Sequence, residues 1–202
     1  MSDLDNLHSQ QIYFHSEEIQ QAQDECLEYL YDFNQTRPSE SDRRQSLLQQ
    51  IFAEVGEGTY IEPPLRANWG KHTHLGKNVY ANFNLTLVDD THIYIGDHVM
   101  IGPNVTLATA GHPIDPQMRI DVAQFNIPIH IGKNVWLGAH TVVLPGVTIG
   151  ENSVIGAGSV VTKDIPANVV AVGNPCKVLR PINERDKEFY FKNLRFDNKS
   201  TS

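Results

Sequence analysis

Little in this sequence points to a covalent staple, a membrane or a nucleic acid. Only two cysteines occur, Cys26 and Cys176. A disulfide framework or a zinc ribbon needs clustered pairs, so both are excluded. No apolar run approaches the roughly 20 residues that a membrane span requires. The opening residues, Met1 to Asp5, are acidic and carry neither a basic region nor an apolar one. A secretory signal is therefore not expected, and a soluble cytoplasmic protein is. Cations are outnumbered, with 16 Lys and Arg against 24 Asp and Glu and a formal net charge of −8. That balance argues against nucleic acid, which favours a basic stripe. A length of 202 residues sets one domain as the prior, with a core that needs no staples.

The scarcities are uneven along the chain. All fourteen glycines lie at position 56 or later. Residues 1–60 hold twelve Asp and Glu against three Lys and Arg, a net −9. Residues 61–202 hold twelve against thirteen, a net +1. The acidic total thus belongs to a glycine-poor first segment, and the nearly neutral remainder can still hold a local anion site.

The first segment reads as helix. Residues 16–33 lack Gly and Pro, and Ile19, Cys26, Leu27, Leu30 and Phe33 recur at helical spacing. Ser16 suits the N-cap, with acids in the first turn where the helix dipole favours them. The stretch from Asn34 to Pro38 ends that helix. Ser39 to Asp42 resembles a capping box. Leu47, Leu48, Ile51 and Phe52 give a second helix its apolar side, and the charges form a solvated outer face. A helical cap is expected over 1–54.

The second segment repeats every six residues. Ile131, Leu137, Val143, Ile149, Ile155 and Val161 each open a unit. Sustained six-residue self-similarity reads as a β-solenoid of three short walls per coil. The opening aliphatics point inward and stack on their equivalents one coil along. Gly and Asn near the corners tolerate the turns. Ile95, Ile101 and Leu107 carry the same phase, as do Leu75, Ala81 and Leu87, and more roughly Val55, Ile61 and Ala67. Two-residue slips separate these groups, so small insertions sit at corners. A larger interruption predicts an ordered loop projecting over about 109–128. The solenoid is expected over 55–180, with a C-terminal helix or arm over 181–202.

The repeats, with Ala81-Asn82-Phe83-Asn84, Val88-Asp89-Asp90, Gly111-His112-Pro113, Asn134-Val135-Trp136 and Asn174-Pro175-Cys176, resemble the hexapeptide-repeat O-acetyltransferases, and within them the galactoside/maltose branch. The resemblance runs from the helical N-terminus to about Phe191. It implies a mainly β chain folded as a left-handed parallel β-helix, with acetyl-CoA as co-substrate. It also implies a homotrimer with active sites between subunits, and a small hydroxyl acceptor such as a sugar.

The residues fit that chemistry. An alcohol is not ionised at neutral pH, so its base must act in the transition state, a task suited to His. No nucleophile elbow or Cys motif suggests a covalent intermediate, which agrees with direct transfer. The resemblance makes His112 the base, with Asn82 as its catalytic companion. Tyr80 and Asp90 match acceptor-contacting positions. Ser16, Asn68 and Gln124 stand at acceptor-proximal positions where the branch has an acid, a Ser and a Met. For the donor, Trp136 would line the pantetheine tunnel and the Ala139 N–H would face the thioester carbonyl. Lys163, Lys177 and Arg180 would meet the phosphates, with Thr162 preceding Lys163 in the family's Thr-Lys pair at the donor site. Lys177 replaces an Arg, which keeps the charge and loses the bidentate geometry.

Two other functions are compatible with such a solenoid. One is a zinc carbonic-anhydrase-like lyase, because His74 and His92 lie 18 positions apart with His98 and His140 elsewhere in the repeat. The anhydrase spacing is missing, and no metal is expected. The other is a non-catalytic scaffold, which should lack His112, Asn82 and the donor cations together.

Overall fold

The computed structural model describes residues 3–14 and 16–196. Three helices precede the solenoid: α1 (Asp3–Leu7), α2 (Glu17–Asn34) and α3 (Ser41–Ile51). Ser16 is the N-cap of α2, and its hydroxyl accepts from the Ile19 N–H at 3.4 Å. Ile19, Cys26, Leu30 and Phe33 are buried, whereas Leu27 is exposed on the rim of a groove. The capping box expected from Ser39 does not form. Glu40 takes the cap position without a side-chain cap, and its carboxylate accepts from the Arg37 N–H at 2.6 Å. Arg44 breaks the outward pattern of charges. It is buried, and its guanidinium donates to Thr36 Oγ1 at 2.9 Å and Tyr60 Oη at 3.1 Å. Phe33, Leu48, Ile51 and Phe52 join one apolar cluster with the solenoid core. The cap therefore plugs the open end of the coil with apolar surface.

Three walls of short strands follow. The first stacks Glu54–Val55, Thr73–Leu75, Ile93–Ile95, Ile129–Ile131 and Thr148–Ile149. The second begins Tyr60–Ile61, Tyr80–Ala81, Met100–Ile101 and Trp136–Leu137, then adds Val154–Ile155 and Val169–Val172. The third stacks Leu65–Ala67, Leu85–Val88, Thr106–Ala108, Val142–Val143 and Val160–Val161. Neighbouring coils pair in parallel, so each strand's backbone groups are met by the coils on either side. The unit-opening aliphatics stack in register, as in Leu75↔Ile95↔Ile131↔Ile149, and are buried.

The phase slips have a common address. Pairing steps by 20 positions from Val55 to Leu75 and from Leu75 to Ile95, and by 18 from Ile131 to Ile149. Both extra pairs of residues fall between the third wall and the next first wall, as does the large loop. One edge of the prism therefore collects every major insertion. Regular turns elsewhere use asparagine in the left-handed region, with φ of 54–61° at Asn78, Asn104, Asn134 and Asn152. His98 and His140 take the same kind of position, at φ 57° and 59°.

The chain turns back at its end. Lys177–Pro181 runs antiparallel to Val169–Val172. A one-turn helix, α4 in the loop at Pro116–Ile120, is matched by a second, α5 at Arg185–Glu188, before a hairpin of Phe189–Phe191 and Leu194–Arg195. The anticipated tail from 181 is thus a short turn and a hairpin, and residues 197–202 lie outside the described residues. Among the described residues, no helix is long and apolar enough to cross a membrane.

Candidate active site

The projecting loop closes on itself at the insertion-rich edge. Ala110–Gly111 pairs antiparallel with Phe125–Asn126. The Phe125 ring lies so close to Gly111 that a Cβ there would stand 2.6 Å from Cζ. His112 follows directly. Its Nδ1 lies 2.9 Å from the Ala123 carbonyl oxygen. A carbonyl only accepts, so Nδ1 carries a proton, and in the neutral ring the lone pair is on Nε2.

Carboxylates organise the same edge. Asp90 is buried, and its Oδ2 accepts from Asn68 Nδ2 at 3.0 Å. Burial raises its carboxyl above the ordinary range, while the Asn68 amide and the His112 imidazole pull it back. Asp89 lies deeper. Its Oδ1 accepts from the N–H groups of Asn68 and Trp69 at 3.0 and 2.9 Å, and its Oδ2 from Thr73 Oγ1 at 2.9 Å. Burial pushes that carboxyl up to about 7. The Trp69 indole N–H is buried with no hydrogen-bond partner among the described residues. Asn126, from the loop's return, donates to the Asp90 carbonyl at 3.2 Å.

The remaining acceptor residues are placed as follows. Gln124 is half-buried, between the partner of His112 and the partner of Asp90 in the chain. Ser16 uses its hydroxyl on the helix cap. Thr162 and Lys163, assigned to the donor, are exposed on the same edge, after the last strand of the third wall.

A second set lies on another face. A groove of about 460 Å³ on the second wall is lined by Tyr80, Asn82, Met100, Gly102, Trp136 and Ala139. Four of these were singled out from the sequence. Trp136 is half exposed, and Tyr80 stacks on Tyr60 with ring centres 6.4 Å apart. Asn82 Oδ1 accepts from the Phe83 N–H at 2.8 Å, which leaves its amide N–H groups to donate. The Ala139 N–H meets no acceptor among the described residues. Lys177 and Arg180 stand on the returning strand of this wall. Arg180 is engaged: both its terminal nitrogens donate to Asp186 at 2.7 Å, and hydrogen bonding from Arg180 holds that carboxyl down at about 2. Lys177 and Lys163 form no ion pair among the described residues.

One chain therefore does not unite the residues expected to act together. His112, Asp90, Asn68 and Gln124 lie at the edge between third and first walls. Asn82, Tyr80, Trp136 and Ala139 lie on the second wall and its corner with the third. The width of the third wall separates them.

The histidines of the first wall form a stack rather than a metal cage. His8 packs on His72 and His92, each with ring centres 4.6 Å apart, and His72 stacks on Trp69 at 4.9 Å. His74 Nε2 lies 3.1 Å from His92 Nδ1, and Tyr94 stacks between His74 and His130. Among the described residues, no three His, Cys, Asp or Glu side chains converge as metal ligands. The sequence motifs assign no role to Tyr13, Trp69, Asp89 and Asn126. The two-residue slips could have found Trp69 and Asp89, since both lie in those insertions.

Comparisons with known proteins agree with this architecture. Residues 128–163 match the bacterial transferase hexapeptide (six repeats) model, and residues 7–56 match the maltose acetyltransferase hexapeptide capping motif. The chain is 55% identical over 168 residues to a galactoside O-acetyltransferase of Escherichia coli, covering 83% of each. It is 51% identical to one of Lactococcus lactis, covering 95% of this chain and 93% of that one. A solved galactoside acetyltransferase in complex with coenzyme A superposes with a TM-score of 0.95 at 47% identity, over 98% of this chain and 99% of that one. The chain belongs to the hexapeptide-repeat O-acetyltransferases of the galactoside and maltose acetyltransferase family, and its solenoid is their left-handed parallel β-helix.

Proposed function

We propose that the chain moves acetyl from acetyl-CoA directly to a hydroxyl of a sugar or similar polyol, in a cleft between two of its copies. The observation that carries this reading is His112, with Nδ1 anchored on Ala123, Nε2 without a partner among the described residues, and the imidazole within electrostatic reach of the buried Asp90. Nε2 takes the proton as the acceptor oxygen bonds to the thioester carbon. The carbon–sulfur bond then breaks, and the same proton passes to the departing thiolate. The unengaged Ala139 N–H suits the oxyanion that forms between these steps. Asp90 and Asn68 present an acceptor oxygen and an amide to sugar hydroxyls.

Two copies are required because the base and the Ala139 groove lie on different edges of one prism. A ring of three prisms, each turning its third wall inward, brings the His112 edge of one copy against the Asn82 corner of the next. Coenzyme A and acetyl-CoA accompany solved relatives, and the half-exposed Trp136 with the unpaired Lys177 and Lys163 suits a thioester carrying phosphates. The galactoside and maltose activities of relatives favour a glycoside acceptor.

Thiol release from acetyl-CoA, measured against glucosides, galactosides, maltose and serine, tests the proposal. Turnover is expected with a glycoside, and His112→Ala is expected to lose roughly 10²–10⁴-fold at unchanged Tm. Release with serine alone, or a full rate in His112→Ala, would remove it.

A further inference from the structure

Tyr13 is assigned no role by the sequence motifs, yet it makes specific contacts with the loop that carries His112. It is buried, in a small cluster with Leu7, Ile19 and Trp69. Its backbone exchanges two hydrogen bonds with Gln124, at 2.9 and 3.0 Å. Its hydroxyl lies 2.7 Å from Gln124 Oε1, the shortest bond it makes. The Asn126 amide stands beside the same hydroxyl, with Nδ2 at 3.1 Å and Oδ1 at 3.3 Å.

These contacts have a direction. An amide NH₂ only donates and an amide carbonyl only accepts. The Tyr13 hydroxyl has one proton, and the nearer acceptor takes it: the Gln124 carbonyl at 2.7 Å rather than the Asn126 carbonyl at 3.3 Å. Nε2 of Gln124 makes no hydrogen bond among the described residues. Without Tyr13 the amide could turn either way and offer a donor or an acceptor with equal ease. With it, only the donor end is free.

We propose that Tyr13 is a positioning residue for acceptor choice: it locks the Gln124 amide so that Nε2 donates to a lone-pair oxygen of the acceptor. This rests on the reading of the His112 edge as the acceptor site, because Gln124 sits between Ala123, which holds His112, and Asn126, which holds the Asp90 backbone. The class of acceptor favoured is one that turns a hydroxyl, ring or glycosidic oxygen toward the loop. A purely alkyl surface there would strand the donor.

Steady-state kinetics of Tyr13→Phe, Gln124→Met, Gln124→Glu and the Tyr13→Phe/Gln124→Met double variant test this, with maltose and methyl galactoside as acceptors. Loss of one neutral hydrogen bond is expected to raise acceptor KM about threefold to tenfold. A bond made equally in ground and transition states leaves kcat and the acetyl-CoA KM nearly unchanged. Gln124→Glu keeps an acceptor for Tyr13 and has no donor, so it should weaken the acceptor as Gln124→Met does. The double variant should be no worse than Gln124→Met alone, because Tyr13 acts only through that amide. Additive losses, a parent-like Gln124→Glu, or an unchanged acceptor KM in Tyr13→Phe would overturn the inference while leaving the site intact. A full rate in His112→Ala, run beside them, would overturn the site itself and this inference with it.

Discussion

Lys177 and Arg180 are equivalent cations in the sequence, and the fold separates them. Arg180 is clasped by Asp186, and Lys177, on an exposed strand, has no ion pair among the described residues. Lys177→Ala is therefore expected to raise the acetyl-CoA KM roughly tenfold at low salt, the scale of a lost charge-assisted contact. The difference should shrink as salt screens the parent. Equal KM values for parent and variant at low salt would take Lys177 out of the donor site. Individual residues were legible where a local motif carries them. His112, Asn82, Trp136 and Asp90 fall in short runs that carry the family resemblance, and it is the resemblance that proposes their roles. Tyr13 and Gln124 meet across 111 positions, and no periodicity in either segment announces that contact. The engagement of Arg180 was equally hidden, since a hairpin and a one-turn helix decide where Asp186 points.

The first wall and the N-terminal segment share a stack of imidazoles whose protonation the fold opposes. Burial pushes His72 down to about 4 from 6.5, with His8, His92 and His74 adding like charge, and it lowers His8 and His92 as well. Between those two pH values the unfolded chain binds the proton that folded His72 refuses. Stability from this group is thus full above pH 6.5 and falls as pH drops toward 4. Asp89 runs the other way, since its raised carboxyl keeps a proton up to about pH 7 that the unfolded chain has lost. His72→Phe isolates the first effect. It retains a flat ring against Trp69 and loses the bond to the Asp89 carbonyl. Its Tm deficit against the parent should shrink or reverse between about pH 8 and about pH 5. A deficit of the same size at both would mean that His72 is not the titrating group. The walls themselves were legible because six-residue stacking leaves its period in the sequence. Ile101→Ala, in the middle of the second wall's inward row, should cost about 2–5 kcal/mol by denaturant unfolding. A loss under about 1 kcal/mol would show that the neighbouring coils close the cavity. The capping-box reading failed for a local reason, because Glu40 turns to Arg37 and the helix starts one residue later.

For the whole molecule, the proposed cleft between copies would make activity a property of pairs. His112→Ala and Asn82→Ala chains, each nearly inactive alone, should regain activity when unfolded together and reassembled. Random mixing would leave roughly a quarter of the clefts with both intact residues. A mixture as inactive as its parents would place both residues in one copy's site. The same solenoid has another consequence at its plugged end. Beneath α2 and α3 lie the end strands of three parallel sheets, one of them held by Asn34 through both backbone groups of Leu65; uncovered, these edges could template further strands at about 4.8 Å spacing. The helical cap is thus also a chain terminator for growth along the coil axis. A chain beginning at Glu54 should form filaments with a cross-β reflection instead of dispersed particles, and a soluble product of that truncation would show that the first coil protects its own edge. In that light the acidic, glycine-free opening of the sequence keeps a repeating rod finite.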